Sequence, residues 1–248
     1  MANEPYIEVY KRFCKLAATD EKVFKTFKSH PDYVQMLEHV SEEQGFEYLR
    51  IIKDQNPQLL DHIHKFREND RLGAPNAYEY RDAGVISPTT LRYVKTLSDM
   101  IEMYDTLEGE DIIEVGGGYG GQCKIISDVF AFKSYTIVDL PEVVGIINRY
   151  LKENNVPNAK AITLEELSGD KWGLFISNYA FTELPSELQL TYIERVTRKC
   201  AHAYITCNFC GNPAEATSLP KEALLKEFKC IELDEVPKTH PNNCLLVW

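Results

Sequence analysis

The chain has 248 residues, of which 44% are hydrophobic and 26% charged, and its formal net charge is −11. These values are typical of a globular protein and exclude a collagen-like, coiled-coil or wholly disordered chain. The negative charge argues against a nucleic-acid partner, because binding to phosphate backbones depends on clustered Lys and Arg. We find no signal-peptide pattern and no apolar run of membrane-spanning length, so we expect a cytoplasmic protein with reduced cysteines and no membrane partner.

Residues 1–105 are predicted to form an all-helical region. Apolar residues recur there at helical spacing, and no convincing strand alternation interrupts them. Ser87 followed by a proline predicts the start of the last helix of the region, which would end near Met103. We expect this region to close over a substrate pocket, with Tyr80 and Arg81 contacting substrate, and to supply the contacts of a homodimer.

Residues 106–248 alternate between short apolar runs and amphipathic helices, which predicts an α/β domain with a mainly parallel sheet covered on both faces. The last two apolar runs are separated only by residues 237–243, too few for a crossover helix, so they should be antiparallel. The predicted strands are 111–115, 134–139, 159–163, 172–177, 201–207, 229–236 and 243–248, and the predicted helices are 119–130, 141–154, 184–198 and 218–227.

A glycine-rich loop joins the first of these strands to the helix after it. The residues of this loop match two known sequence patterns. Gly116-x-Gly118-x-x-Gly121 is the fingerprint of nicotinamide-dinucleotide binding, and Glu114-x-Gly116-x-Gly118-x-Gly120 is the first motif of methyltransferases that use S-adenosylmethionine. In both cases glycines let the backbone turn tightly and let a ligand lie against peptide groups.

Three further features bear on the choice between S-adenosylmethionine and NAD, and two of them favour S-adenosylmethionine. Glu114 places a carboxylate where it can meet the ammonium of a methionine moiety, whereas it would repel a pyrophosphate. Asp139, at the end of the next strand, can accept hydrogen bonds from ribose hydroxyls, which suits either cofactor. The antiparallel end of the sheet is typical of class I methyltransferases and unusual in dinucleotide folds. The residues expected to bind the cofactor are Glu114, Gly116, Gly118, Tyr119, Gly120, Asp139, Leu140, Ser177 and Asn178.

Three segments resemble the sugar O-methyltransferases of polysaccharide and glycan gene clusters: 112–122, 138–141 and 176–184. The resemblance covers residues 75–248, and the run Ser-Asn-Tyr-Ala-Phe-Thr-Glu-Leu (177–184) is its most specific part. It implies a Rossmann-like class I fold with a seven-stranded sheet and an antiparallel last strand. It also implies S-adenosyl-L-methionine as methyl donor, S-adenosyl-L-homocysteine as product, and a hydroxyl of a sugar or sugar nucleotide as acceptor.

Ligands of an open parallel sheet bind outside the carboxyl ends of its strands, and a sugar hydroxyl needs a base to remove its proton. His240, in the turn between the last two strands, is the first candidate base. Glu183, after the fourth strand of the domain, is the second, unless it caps the next helix. Tyr179 and Asn178 are expected to position substrate or cofactor.

Other activities stay open from sequence alone. Asn178-Tyr-Ala-Phe181 faintly resembles the Asn-Pro-Pro-Tyr loop of amine N-methyltransferases, although both prolines are missing. An NAD-dependent sugar oxidoreductase is disfavoured by Glu114, and a non-catalytic cofactor-binding module is a further alternative. Cys207 and Cys210 have no second cysteine pair, so we expect buried thiols and no metal site.

Overall fold

The computed structural model describes residues 6–169, 171–209 and 217–248. The helices are α1 (Tyr6–Thr19), α2 (Glu21–Thr26), α3 (Pro31–Val34), α4 (Glu42–Gln55), α5 (Ile63–Arg67), α6 (Pro88–Tyr104), α7 (Gly121–Ser127), α8 (Pro141–Glu153), α9 (Ala180–Glu183), α10 (Ser186–Arg195) and α11 (Lys221–Phe228). The strands are β1 (Tyr78–Tyr80), β2 (Gly84–Ile86), β3 (Asp111–Val115), β4 (Ser134–Val138), β5 (Ala159–Ile162), β6 (Trp172–Tyr179), β7 (Cys200–Cys207), β8 (Ile231–Asp234) and β9 (Cys244–Val247).

Seven strands form one sheet in the order β5-β4-β3-β6-β7-β9-β8. All neighbouring pairs are parallel except those of β9, which runs antiparallel to β7 on one side and to β8 on the other. This strand order is that of the class I methyltransferase fold, and it confirms the predicted sheet. The order reverses between β3 and β6, so the crevice outside their carboxyl ends is the place where this architecture binds ligands.

The ends of several elements differ from the predicted ones by a few residues. Helix α7 begins at Gly121 instead of 119, because Gly120 before it has a φ of +92°. Helix α11 ends at Phe228, where Lys229 adopts a left-handed conformation with a φ of +50°. Strand β8 consequently begins at Ile231, two residues later than predicted.

The prediction of a purely helical first region is wrong in one place. Strands β1 and β2 form a separate antiparallel pair in which Tyr78 faces Ile86. Each strand has only three residues, too few to produce a recognisable alternation of polar and apolar side chains.

The first region and the sheet share one hydrophobic core. The boundary predicted between residues 105 and 106 falls just after α6, which is buried along most of its length and packs against both α4 and α7. A single cluster of buried side chains includes Tyr10 of α1, Leu97 of α6 and Val247 of β9. Among the described residues, no helix has the length and apolar character needed to cross a membrane.

Candidate functional site

The glycine loop lies at the reversal point of the sheet, between β3 and α7. Gly116 and Gly118 have φ angles of +77° and +61°, which side chains rarely adopt. A Cβ atom on Gly116 would lie 2.1 Å from the Cβ of Ala180, and one on Gly118 would lie 2.9 Å from Leu37. Both glycines are therefore required by backbone conformation and by the close packing of the elements that surround the loop.

Glu114 lies directly beneath this loop. Its side chain is only 2% exposed, and its Oε2 accepts a hydrogen bond of 3.0 Å from the buried hydroxyl of Tyr135. A Cβ on Gly117 would be 3.4 Å from the same oxygen, so the carboxyl group is in contact with the loop. Burial raises the pKa of Glu114 to about 8, opposed by the Tyr135 hydroxyl and increased by the charge of Asp139. The group is therefore mostly protonated at neutral pH unless a cation approaches it.

This raised pKa predicts a pH dependence for cationic ligands. A ligand ammonium at the loop favours ionised Glu114, so affinity should increase as pH rises from 6.5 to 8, by at most about tenfold per pH unit, and then level off. Titrations of S-adenosyl-L-homocysteine across this range test the effect, with 5′-methylthioadenosine, which lacks the amino-acid moiety, as matched ligand. Glu114→Gln should bind S-adenosyl-L-homocysteine more weakly at pH 8, with an affinity that does not change with pH. An unchanged pH dependence in this variant would assign the effect to another group.

Asp139 follows β4 and faces the same loop. Its Oδ1 accepts a hydrogen bond of 2.8 Å from the backbone N–H of Leu140, and the side chain is half-buried. Desolvation raises the pKa of Asp139 to about 6, although the N–H groups of Leu140, Gly117 and Gly118 oppose the rise. Leu140 precedes α8 and packs against the main core. The carboxylate is thus held between the end of β4 and the glycine loop.

A short turn after β6 closes the other side of the loop. The fully buried Ser177 donates from Oγ to the carbonyl of Val115 over 2.8 Å and accepts from the N–H of Phe181 over 3.0 Å. Ser177 therefore fastens the end of β6 to the end of β3. Asn178 is half-buried, and its Oδ1 accepts a bond of 3.2 Å from Thr206.

Tyr179 ends β6 in a strained conformation and reaches a carboxylate that the sequence did not suggest. Its φ is +69°, which is uncommon for a residue with a large side chain and typical of functional sites. Its hydroxyl donates to Oε1 of the buried Glu235 over 2.5 Å. Both oxygens of Glu235 also accept from Thr239, whose N–H lies 2.9 Å from Oε2. Nothing in the sequence distinguishes Glu235 from the exposed acid before it.

Arg92 of α6 is a second residue that sequence reasoning missed. Its guanidinium lies 5.9 Å from the ring centre of Tyr179 and 5.7 Å from that of Tyr93, and its Nη2 donates to the carbonyl of Leu37 over 3.2 Å. One signal for Arg92 was available, because it is a basic residue within a helix that is buried along most of its length. Arg92, Tyr48 of α4 and the residues around Glu235 enclose a cavity of about 20 Å³, enough for about one water molecule.

The two predicted bases lie beyond the ends of β6 and β8. Glu183 ends α9, and one of its oxygens accepts a hydrogen bond from the side-chain amide of Asn208. It does not cap the next helix, because α10 has no side-chain cap at its start. Desolvation raises the pKa of Glu183, and the bond from Asn208 opposes the rise. His240 is half-exposed, and its Nδ1 accepts from the N–H of Asn242 over 3.3 Å.

Several predicted contacts are not where sequence reasoning placed them. The side chain of Tyr119 is fully buried among aromatic rings behind the loop and receives a hydrogen bond of 3.2 Å from Asn69, so it offers no surface to a ligand. Gly120 faces Leu151 of α8 instead of the crevice. Tyr80 is also fully buried, with its hydroxyl donating to the carbonyl of Glu42.

Residues of the first region other than Tyr80 and Arg81 cover the crevice. Arg81 is exposed in the turn between β1 and β2 and is not among the residues that line the cavity. Leu37 lies on Gly118 instead, and Tyr48 and Arg92 lie over the end of β6. The first region therefore covers the crevice through the segment around Leu37, α4 and α6.

Within the described part of the chain, no group of three or more His, Cys, Asp or Glu side chains is placed as metal ligands would be. Cys207 is buried as expected and faces Cys244 across the β7–β9 pair, whereas Cys210 lies outside the described residues.

No family model and no curated protein matches the sequence. Among solved structures, an N-methyltransferase from Bradyrhizobium japonicum in complex with S-adenosyl-L-homocysteine is 14% identical, with 63% of this chain and 83% of that chain covered and a TM-score of 0.47. A S-adenosylmethionine-dependent methyltransferase from Clostridium acetobutylicum is 10% identical, with 61% and 88% covered and a TM-score of 0.47. A protein from Thermoplasma acidophilum is 14% identical, with 78% and 96% covered and a TM-score of 0.46. At these values the similarity adds nothing to the fold that strand order and direction already define.

Proposed function

We propose that this protein is a S-adenosylmethionine-dependent methyltransferase. The observation that carries the proposal is the pair of carboxyl groups, Glu114 and Asp139, that flank one glycine loop at the ends of adjacent parallel strands. A ribose-binding acid alone would suit several nucleotides. A buried acid beneath the loop suits a ligand that carries a cation there and disfavours a pyrophosphate.

The donor would be held along the ends of β3, β4 and β6. Glu114 would attract its ammonium, the backbone of Gly116 and Gly118 would contact its amino-acid portion, and Asp139 would accept hydrogen bonds from its ribose. Leu140 and Asn178 would border it on either side. The donor supplies an already activated methyl group, so the protein has to exclude water, align the acceptor and remove its proton.

We further propose a sugar hydroxyl as acceptor, in a free sugar, a nucleotide-linked sugar or a glycan. The resemblance of residues 177–184 to sugar O-methyltransferases supports this acceptor, as do the aromatic side chains of Tyr48 and Tyr179 that line the cavity at the end of β6. Because the cavity there has a volume of only about 20 Å³, an acceptor enters only when the covering segment around Leu37 and α4 moves outward.

Glu183 is the better candidate for the base. The Nδ1 of His240 accepts a backbone N–H, so the proton of its neutral ring is on Nε2, which can then donate but not accept. Glu183 is an exposed residue anchored by Asn208 beside the strained turn at Tyr179, and partial desolvation of its carboxyl group raises its pKa, which favours a base. In this proposal the acceptor hydroxyl transfers its proton to a Glu183 oxygen as the methyl group arrives.

Transfer of a labelled methyl group tests the acceptor directly. The protein should be incubated with methyl-labelled S-adenosylmethionine and a panel of sugar nucleotides, free sugars and glycan ends, with small amines alongside. We expect label in a base-stable ether on at least one sugar. If label appeared only on amines, the acceptor would be an amine and not a sugar, and the proposed donor would be unaffected.

A further inference from the structure

The cluster around Arg92 contains buried charged groups that have hydrogen-bonding partners, and Arg92 itself is half-buried. Glu235 accepts from Tyr179 and Thr239. Asp99 accepts from Lys95 over 2.6 Å and from the hydroxyl of Tyr204 over 2.7 Å. Arg92 differs from these groups, because no carboxylate of the described residues forms a salt bridge with it.

Arg92 has donors to spare. A guanidinium carries five N–H groups in a planar fork, and the described residues accept from one of its nitrogens only, through the carbonyl of Leu37. The aromatic rings of Tyr93 and Tyr179 stabilise the cation without using those donors. Glu38, a buried acid on the covering side, has no hydrogen bond at Oε1 and forms no salt bridge with Arg92, although the charges of the two side chains interact. Burial raises the pKa of Glu38.

A cation that is partly withdrawn from water is stabilised by pairing with an anion, because desolvation of an unpaired charge is costly. The guanidinium lines the cavity between α4, α6 and the loop after β8, next to the strained turn at Tyr179. It therefore faces the space that the proposed reactants would occupy. A planar fork at this place matches the two oxygens of a carboxylate or phosphate.

We propose that Arg92 is the binding site for an oxyanion of a bound reactant, with Tyr48 and Tyr179 as the walls of that site. The nature of the reactant rests on the proposed methyltransferase function, and two sources share this chemistry. One is the carboxylate of the amino-acid portion of the donor, since Leu37 links Arg92 to the glycine loop. The other is an acidic acceptor, such as a uronic acid or a nucleotide-linked sugar.

The test compares Arg92→Gln and Arg92→Lys with the wild-type protein. Arg198→Gln is the matched control, because Arg198 is exposed, pairs with Glu227 and precedes β7, at the end of that strand opposite to the glycine loop. For each protein, binding of S-adenosyl-L-homocysteine and of 5′-methylthioadenosine is measured by calorimetry, and KM is measured for acidic and neutral acceptors. The shift in melting temperature with inorganic phosphate is recorded as a readout that needs neither donor nor activity.

If the oxyanion belongs to the donor, Arg92→Gln weakens the binding of S-adenosyl-L-homocysteine by about 10- to 100-fold and leaves the binding of 5′-methylthioadenosine unchanged. If it belongs to the acceptor, donor affinity is unchanged and KM rises by a similar factor for acidic acceptors only. Arg92→Lys should be intermediate, because it retains the charge and loses the fork.

The proposal is overturned if Arg92→Gln equals wild type in donor affinity, in KM for acidic acceptors and in the response to phosphate. Failure of the wild-type protein to bind S-adenosyl-L-homocysteine would overturn the proposed function instead. In that case the phosphate response decides the anion site by itself: it supports the site if Arg92→Gln loses it and refutes the site if the wild type shows none.

Discussion

Glu183→Gln is expected to lower kcat by about 10²- to 10⁴-fold while leaving the affinity for S-adenosyl-L-homocysteine unchanged. The amide oxygen of glutamine can still accept the hydrogen bond from Asn208, so the position of the side chain is kept. Only the ability to take a proton is lost. Single-turnover methyl transfer, measured with calorimetric binding of the product, separates the chemical step from binding.

His240→Ala is the matched control for this experiment. Because its Nδ1 is engaged by the N–H of Asn242, we expect its loss to change kcat far less than that of Glu183. In the wild type, kcat should rise with pH as Glu183 ionises, and this rise should be absent in Glu183→Gln. Wild-type kcat in Glu183→Gln would exclude Glu183 as the base, and a large loss of kcat in His240→Ala alone would assign the base to His240.

Asp99→Ala is expected to lower the free energy of unfolding by about 3–5 kcal/mol, because it leaves the cation of Lys95 buried without a partner. The side chains of Lys95 and Asp99 are 8% and 7% exposed, with Nζ and Oδ2 2.6 Å apart. The same oxygen accepts a hydrogen bond of 2.7 Å from Tyr204, so the variant also loses this link between α6 and β7. Urea denaturation curves fitted with a common slope measure the change.

The double variant Lys95→Met with Asp99→Asn removes both charges and keeps an acceptor for Tyr204. It should recover most of the lost stability, since a neutral pair of similar volume avoids the cost of an isolated charge. Glu8→Ala, which breaks the exposed contact between Glu8 and Lys11, should have a much smaller effect. Equal losses in Asp99→Ala and Glu8→Ala would contradict a buried ion pair.

The inner strands of the sheet could be predicted from the sequence because β3, β4 and β6 are short and mostly buried apolar runs. Strand β3 has the predicted bounds, and β4 and β5 are each one residue shorter than predicted. The direction of β9 followed from chain length alone, since residues 237–243 are too few for a crossover. The strands β1 and β2 were missed because three residues carry no detectable period.

The site was less accessible from sequence because its members meet only after folding. Tyr119 stands in the glycine motif, yet its side chain turns into an aromatic cluster built largely by residues of the first region. Arg92 and Glu235 are separated by more than half the chain and line one cavity. Periodicity identifies which residues are buried, but it does not show which distant polar side chains share an environment.

Calorimetric titration of the wild-type protein with S-adenosyl-L-homocysteine and, separately, with NADH tests the donor assignment most directly. We expect one S-adenosyl-L-homocysteine per chain and no heat of binding with NADH. Asp139→Asn should weaken the binding of S-adenosyl-L-homocysteine by about 10- to 100-fold, because the ribose would lose a charged acceptor. Binding of NADH without binding of S-adenosyl-L-homocysteine would contradict a methyltransferase and make the glycine loop a dinucleotide site.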